Sequence, residues 1–157
     1  VARANPVWRD LGAAAPSVVM FKGPQAYITP GWYPSKAEHG KVVPTWNYAT
    51  LHVYGQVFWH DDPRWVEDLV RRLTTKHEGA LGAAPSWSVD DAPRAFVDAQ
   101  LRAIVGVRVA ISRIEAKFKM SQNRPEVDAA GVIAGLAARG DGASAAAVAR
   151  ANADRLP

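Results

Sequence analysis

Polar side chains that suit an anion or a flat heterocycle gather in KFKMSQNRP, residues 117–125. Lys117, Lys119 and Ser121 alternate on one face of a predicted strand, and two amide side chains follow before a helix opens at Arg124. Ammonium, hydroxyl and amide donors at one strand end suit a phosphate or a heteroaromatic carbonyl. A solvent-facing edge followed by a helix cap gives the same pattern, and taken alone that second interpretation is favoured.

A second candidate is the loop segment WYPSK, residues 32–36, which combines two aromatic rings, a hydroxyl and the ammonium of Lys36. Aromatic planes beside a cation are suited to cover a flat ligand. A loop that simply packs its aromatic rings on the body of the protein would have the same composition.

Signatures of self-contained enzymes are missing from the sequence. The four histidines are scattered and share no metal-ligand spacing with carboxylates. No GxGxxG, phosphate-binding loop or GxSxG motif occurs. Zero cysteines exclude disulfides, thiolate metal sites and a cysteine nucleophile. We therefore assign no catalytic residue and no metal ligand.

The positive charge of the chain is unevenly distributed. Its net charge is +4, and residues 102–125 hold six basic side chains against one acidic. This surplus favours an anionic ligand such as a phosphate, although a solvated basic face would look the same. No apolar run approaches the roughly 20 residues that span a bilayer, and no secretory segment opens the chain, so we expect a cytoplasmic protein.

The element that must position these residues is TWNYATLHVYGQVFW, residues 45–59, which alternates like a β-strand. Its odd positions carry mostly aliphatic side chains. Its even positions carry the rings of Trp46, Tyr48, His52 and Tyr54. A strand in a simple sheet needs only one buried face, so the aromatic second face must have another use.

Two further stretches have strand character. Residues 17–30 are rich in β-formers and contain a Gly-Pro turn signal at position 23, whereas residues 31–41 are predicted to be a loop. Residues 106–123 form a second long strand whose apolar residues change face near Ser112, which predicts a β-bulge there.

Helix signals lie between and after these strands. Asn5 caps a short helix, and Asp62 caps a longer one that Gly79 is predicted to end. A short helix follows near residue 94, and the Ala-rich tail contains two small helices broken at RGDG. Long strands interleaved with helices favour an antiparallel barrel with peripheral helices.

Four segments together resemble the PaiB family of FMN-binding negative transcriptional regulators. They are VARANP, YITPGWYPSK, GKVVPTWNYATLHVYG and KFKMSQNRP. The resemblance implies a mainly β fold with peripheral helices, a split β-barrel of the pyridoxamine-phosphate-oxidase type. It also implies one domain over residues 1–157, with barrel strands to about 123 and C-terminal helices after it. An opening strand hairpin precedes VARANP in the family, so we expect this chain to be a piece that lacks those strands.

The resemblance further implies a homodimer with FMN sites at the subunit interface. In this arrangement the aromatic face of residues 45–59 meets the second subunit and, near its start, the flavin. The implied FMN-binding residues are Arg3 and Asn5 at the phosphate, Lys36 in the loop, Thr45, Trp46 and Asn47 beside the ring, and Lys119, Ser121 and Gln122 as donors to the phosphate or ring edge.

The function implied by the resemblance is negative transcriptional regulation. DNA is a possible partner, but the Ala/Gly-rich tail lacks the basic recognition helix of a helix-turn-helix, so contacts would be to phosphates from the basic strand surface. Two alternatives stay open: an FMN-dependent reductase or oxidase, whose chemistry belongs mostly to the cofactor, and an FMN-free structural dimer.

Overall fold

The fold combines a small sheet with several helices, in a computed structural model that describes residues 1–12, 14–82 and 84–156. The elements follow the order α1 Val7–Asp10, β1 Ala15–Ile28, α2 Ser35–His39, β2 Thr45–His60, α3 Pro63–Leu81, α4 Arg94–Arg102, β3 Gly106–Lys119, α5 Glu126–Ala138 and α6 Gly142–Ala151. Helices hold 43% of the residues and strands 30%, so the prediction of a mainly β fold is not supported. In the described residues, no helix has both the length and the apolarity needed to cross a membrane.

The three strands form one antiparallel sheet in the order β1-β2-β3, with β2 in the centre. The chain divides into two compact units. The first unit comprises Val1–Ser17 and Tyr54–Ser112, and the second comprises Val18–Val53 and Arg113–Pro157. All three strands run through both units, and the prediction of a single domain with a boundary near residue 123 stays a prediction.

In the first unit, the N-terminal residues pair as a strand before turning into α1. Ala2 and Ile104 form an antiparallel bridge, and Val1 exchanges hydrogen bonds of 2.8 and 2.9 Å with Val105. The side chain of Asn5 then accepts a hydrogen bond from the backbone N–H of Val7 at 3.0 Å, although α1 begins at Val7 and Pro6 rather than Asn5 holds the N-cap position.

Helix α3 packs on the apolar cluster of the first unit, which consists of Val66, Val89, Val97 and Leu101. Asp62 caps it as predicted, accepting from the N–H of Arg64 at 3.0 Å. The predicted stop at Gly79 is wrong, because the helix continues to Leu81 and ends at the left-handed Gly82. Glycine permits a left-handed cap without imposing one, and two glycines three residues apart offered the same signal.

The second unit is built around a core shared by β1, β2, α5 and α6. Its fully buried members include Ile28, Met120, Val132, Leu136 and Val148. The two tail helices α5 and α6 are confirmed on either side of RGDG.

Residues 31–41 contain helix α2, which corrects the prediction of a loop. The buried carboxylate of Asp128 accepts hydrogen bonds from the N–H and the hydroxyl of Ser35, at 3.1 and 2.6 Å. This bond joins residues 93 positions apart in the chain. The partner that fixes α2 is therefore invisible to local sequence reasoning.

Strand β1 passes without interruption through Gly23 and Pro24, so the predicted turn there is wrong. Because β1 is an edge strand, the missing N–H of Pro24 can face away from the sheet and costs no ladder hydrogen bond. Gly23 has its own packing role, since a Cβ atom there would lie 2.9 Å from the Cβ of Ala49.

The two faces of β2 differ as the sequence predicts. Odd positions such as Asn47, Ala49, Val53 and Val57 are buried, whereas the even positions are half-buried or exposed. Strand β3 ends at Lys119 rather than at the predicted residue 123.

Strand β3 is exposed on both of its faces. Ile111, Ile114 and Phe118 keep more than half of their side-chain surface open. The phase argument assumed that both apolar sets of β3 lie in one core, and that assumption does not hold here. The bulge near Ser112 stays a prediction.

The glycines of α5 allow the packing of this helix to be tested. Gly131 and Gly135 give α5 a flat face for Trp32, and a Cβ atom at Gly135 would overlap the indole ring. We expect Gly135→Ala to lower the free energy of unfolding by about 1–3 kcal/mol through overpacking, in spite of the better helix propensity of alanine. Urea denaturation followed by circular dichroism measures this change.

The control is Gly79→Ala in α3, where a Cβ atom meets nothing within 4 Å. That variant should be more stable than the wild type by about 0.5–1 kcal/mol. Equal effects of the two substitutions would contradict the assigned role of the glycine face.

An ion-pair cluster makes the stability of the first unit depend on pH. Hydrogen bonds from Arg94 and Arg71 lower the pKa of Glu67 from 4.5 to about 2. A depressed pKa stabilises the fold at pH values above 4.5, and this contribution is lost as the pH falls through about 2.

We expect Glu67→Gln to be less stable than the wild type at neutral pH, with the difference shrinking between pH 4.5 and 2. Thermal unfolding at a series of pH values measures it. Glu38→Gln removes the same charge where no ion pair is found among the described residues, and it should not reproduce the effect. A pH-independent difference between Glu67→Gln and the wild type would contradict the linkage.

Candidate functional site

Four of the predicted site residues lie together where β2 begins and β3 ends. The ammonium of Lys119 donates a hydrogen bond to the hydroxyl of Thr45 at 2.5 Å. The side-chain amide of Asn47 donates to the hydroxyl of Ser121 at 2.9 Å. We call Thr45, Asn47, Lys119 and Ser121 the strand-end cluster.

The strand-end cluster depends on a special backbone conformation at Ser121. This residue has φ +62° in the left-handed region, which is uncommon for residues other than glycine. Its carbonyl accepts a hydrogen bond from the N–H of Arg124 at 3.0 Å and closes the turn that leads to α5. Asn47 and Ser121 are only 1% and 3% exposed, so their hydrogen bond joins β2 to this turn inside the protein.

Gln122 belongs to the same turn, but its side chain is committed to the backbone. Its carbonyl oxygen accepts from the N–H of Met120 at 2.6 Å, and its amide donates to the carbonyl of Phe118 at 3.0 Å. In this conformation Gln122 shapes the strand end rather than pointing free donors at a ligand.

The electrostatics of the strand-end cluster favour a bound anion. Within the part of the chain that the structure describes, the ammonium of Lys119 forms no ion pair with a carboxylate.

The Oδ1 atom of Asn47 is buried and has no hydrogen-bond partner among the described residues. An unpaired buried acceptor costs about 1–3 kcal/mol, so the cluster has an unmet demand for a donor.

A groove of about 610 Å³ lies on the even face of β2 and the facing side of β3. It is lined by Tyr48, Thr50, His52, Glu115, Ala116 and Lys117. The ammonium of Lys117 lies 5.8 Å from the centre of the Tyr48 ring, a cation–π distance. We call this the even-face groove, and the aromatic second face of residues 45–59 forms one of its walls.

Trp46 lies on the even face of β2, opposite Thr45 and Asn47, with 54% of its surface exposed. Its ring meets the Tyr27 ring edge to face, with centroids 6.1 Å apart and an interplanar angle of 72°. These two rings offer an exposed aromatic surface near the beginning of β2.

The loop residues 32–36 mostly point into the protein. Tyr33 and Ser35 are buried, and Trp32 packs on α5. The structure thus supports the interpretation of a loop packed on the body of the protein. Lys36 is exposed on α2, and its side chain has no hydrogen-bond or ion-pair partner in the described ranges.

Arg3 and Asn5 lie in the first unit, where both already have partners. The guanidinium of Arg3 forms two hydrogen bonds with the Asp61 carboxylate, and it donates to the carbonyls of Arg102 and Ile104 at 2.7 and 3.3 Å. The hydrogen bond from Arg3 lowers the pKa of Asp61. The Asn5 oxygen is occupied by the N–H of Val7, and α1 has only four residues, too few for a strong helix dipole.

Sequence reasoning missed a buried polar group formed by Tyr33, Ser35, Arg124 and Asp128. The Arg124 guanidinium lies 4.7 Å from the centre of the Tyr33 ring, and burial raises the pKa of the Tyr33 hydroxyl. Asp128 shares an apolar helix face with Val132 and Leu136. A carboxylate within this apolar stripe is the feature of the sequence that could have revealed the polar group.

Comparison with known proteins places the chain in a family. Residues 1–113 match the family model described as "Putative FMN-binding domain". A protein from Bacillus subtilis, protease synthase and sporulation protein PAI 2, is 36% identical over 82% of this chain and 58% of its own length. Uncharacterized proteins from Aspergillus fumigatus and Emericella nidulans are 38% and 37% identical, each over 76% of this chain and 51% of their own length.

This chain spans between about half and three fifths of the length of these relatives. The residues present fit an FMN cofactor: an uncompensated ammonium beside a hydroxyl suits the phosphate, and exposed rings on the even face of β2 suit the flavin. With its first 113 residues matching the family model, the chain belongs to the PaiB family of FMN-binding domains, and FMN is its cofactor.

Proposed function

We propose that this chain is a PaiB-type flavoprotein that forms a homodimer of split-barrel protomers and acts as a negative transcriptional regulator. The observation that carries the proposal is the strand-end cluster, in which Lys119 and Thr45 lie beside the buried pair Asn47 and Ser121. The name of the Bacillus subtilis relative refers to protease synthesis and sporulation, which is consistent with a regulatory role.

In this proposal Lys119 and Thr45 hold the FMN phosphate. An ammonium without an acidic partner can form an ion pair with the phosphate at little cost, because it has no existing ion pair to break. Thr45 adds a hydroxyl that can both donate and accept. Ser121 fixes the side chain of Asn47, which stands with Trp46 at the flavin ring. When bound, FMN supplies electron and hydride transfer, and the protein supplies binding and orientation.

The remaining predicted residues have supporting parts in the proposal. Gln122 holds the turn after β3, and Lys36 adds a positive charge in the same unit. Arg3 and Asn5 would have to give up Asp61 and the N–H of Val7 to reach a phosphate. We therefore assign them to fixing the N-terminal segment.

The even-face groove is the proposed contact with the second copy of the chain. Its volume of about 610 Å³ lies within the range of cofactor sites, about 300–1,000 Å³. Exposed rings at Trp46 and Tyr27 extend the apolar surface beyond the groove, and large exposed apolar patches commonly mark association sites. A homodimer would cover this face and enclose a cofactor at the seam.

Regulation through DNA would use the basic region rather than a recognition helix. Residues 102–125 carry six basic side chains and one acidic. Phosphate contacts from such a strand surface give affinity that falls with salt but carries no base specificity.

The cofactor proposal is tested by titrating the protein with FMN and with riboflavin, which lacks the phosphate. We expect Lys119→Gln to weaken FMN binding by about tenfold or more, the effect of losing a hydrogen bond to a charged group, and to leave riboflavin binding nearly unchanged. Quenching of flavin fluorescence measures both affinities. Lys76→Gln on α3 removes the same charge outside the second unit and should bind both flavins normally.

Arg3→Gln separates a phosphate ligand from a positioning residue. We expect a lower midpoint of thermal unfolding, because Asp61 loses its partner, with the ratio of FMN to riboflavin affinity unchanged. A selective loss of FMN binding in Arg3→Gln would instead indicate that the N-terminal turn binds the phosphate. Failure of the wild-type protein to quench either flavin would sink the cofactor proposal altogether.

The homodimer is tested by placing a charge in the even-face groove. We expect Thr50→Arg to shift the protein from dimer to monomer, because the larger side chain would fill the groove that the second copy occupies and its charge is costly to desolvate there. Sedimentation velocity measures the change. Thr75→Arg on α3 introduces the same charge in the first unit and should remain dimeric, and a wild-type monomer at all concentrations would refute the proposed interface.

A further inference from the structure

A second cavity, of about 400 Å³, lies in the second unit. It is lined by Pro24, Ala49, Phe118, Met120, Gln122, Ala147, Arg150 and Ala151. Ala49 lies on the same face of β2 as Thr45 and Asn47, but none of the four residues of the strand-end cluster lines this cavity. The cavity is therefore a neighbouring feature with a lining of its own.

The walls of the cavity are mostly apolar, and its floor is part of the buried core. Met120 and Ala49 belong to the buried core and are 2% and 8% exposed. The Phe118 ring stands at the side with 62% of its surface open, although it would be buried by an occupant. On α6, Ala147 and Ala151 end at Cβ, so the helix leaves room for a ligand where larger residues would fill the space.

Arg150 is the one charged residue among those that line the cavity. Its neighbours in the tail are committed: Arg139 pairs with Asp141, and Arg155 donates to the carbonyls of Gln122 and Arg124. For Arg150, no side-chain hydrogen bond, ion pair or ring contact occurs in the described part of the chain. Its place in the last turn of α6 suits the helix dipole but leaves its planar donors available.

An adjoining depression of about 240 Å³ extends the apolar surface. It shares Pro24, Ala49 and Phe118 with the cavity and continues to Phe21 and Leu51, and Lys22, Gly23 and Thr50 also line it. An occupant can therefore be longer than the cavity itself. An extended hydrocarbon tail meets this shape better than a compact polar molecule.

We propose that this cavity binds a medium-chain fatty carboxylate. The carboxylate pairs with the guanidinium of Arg150, whose planar fork matches two carboxylate oxygens. The hydrocarbon chain lies against Met120 and Phe118 and continues toward Phe21. The side-chain amide of Gln122 is already hydrogen-bonded to the backbone, so it needs no hydrogen bond from the ligand.

The test uses decanoate as the probe and decanol as its neutral counterpart, both below their aggregation concentrations, with calorimetry on the full 157-residue chain. We expect decanoate to bind, and Arg150→Gln to weaken decanoate about fivefold while decanol is unaffected. Ala151→Leu should weaken both probes by filling the cavity. Arg64→Gln, an exposed arginine of the first unit, is the charge-matched control and should bind as the wild type does.

The two methionines of the chain give a direct reporter of position. With the methionine methyl groups labelled with carbon-13, decanoate should shift the NMR signal of Met120 in the cavity floor. The signal of Met20 should not shift, because Met20 lines neither the cavity nor the adjoining depression. This readout needs no variant and does not depend on the variants folding.

Three outcomes would overturn the proposal. The first is the absence of both heat and a shift at Met120 when decanoate is added. The second is an equal loss of decanoate affinity in Arg64→Gln and Arg150→Gln, which would indicate general charge attraction. Displacement of bound FMN by decanoate would show that the two ligands share one site. Failure of FMN to bind leaves the decanoate result unchanged, so the two proposals fail independently.

Discussion

The buried hydrogen bond between Asn47 and Ser121 is the constraint on which the candidate site depends. It joins the beginning of β2 to the turn that follows β3, and both partners are almost fully buried. Because Ser121 adopts a left-handed conformation there, the chain turns at once into the approach to α5. Thr45 and Lys119 are thereby held side by side, one on each strand end.

The same constraint explains why β2 needs two well-defined faces. Its odd face carries Asn47 inward together with Ala49 and Val53, so the register of the strand is fixed by burial. A shift by one residue would place Trp46 and Tyr48 in the core and expose the orphaned amide. The rings of the even face therefore remain available for association only because the odd face is fully specified.

Local patterns were sufficient for the elements whose signals lie within a few residues. The alternation of residues 45–59, the Asp62 cap and the break at RGDG all predicted what the structure contains. The errors share a cause. The strand through Pro24 depends on β1 being at the sheet edge, and α2 depends on Asp128, far along the chain.

The candidate site was predictable only in part, for a related physical reason. Motif positions brought forward Thr45, Asn47, Lys119 and Ser121, and these do meet in space. They could not show that Arg3 is neutralised by Asp61, or that Gln122 is bonded to its own turn. Residue type records what a side chain can donate, whereas only tertiary structure records whether that capacity is already used.

This distinction also changes how the positive charge of the protein should be interpreted. Several of the arginines are compensated locally, as Arg71 and Arg94 are by Glu67. An arginine whose donors are satisfied adds to the net charge but has little affinity left for a ligand. Lys119 and Arg150 meet no carboxylate in the described residues, and they lie at a polar cluster and at a cavity respectively. Uncompensated cations in such positions, rather than the overall surplus, therefore mark where this fold can bind anions.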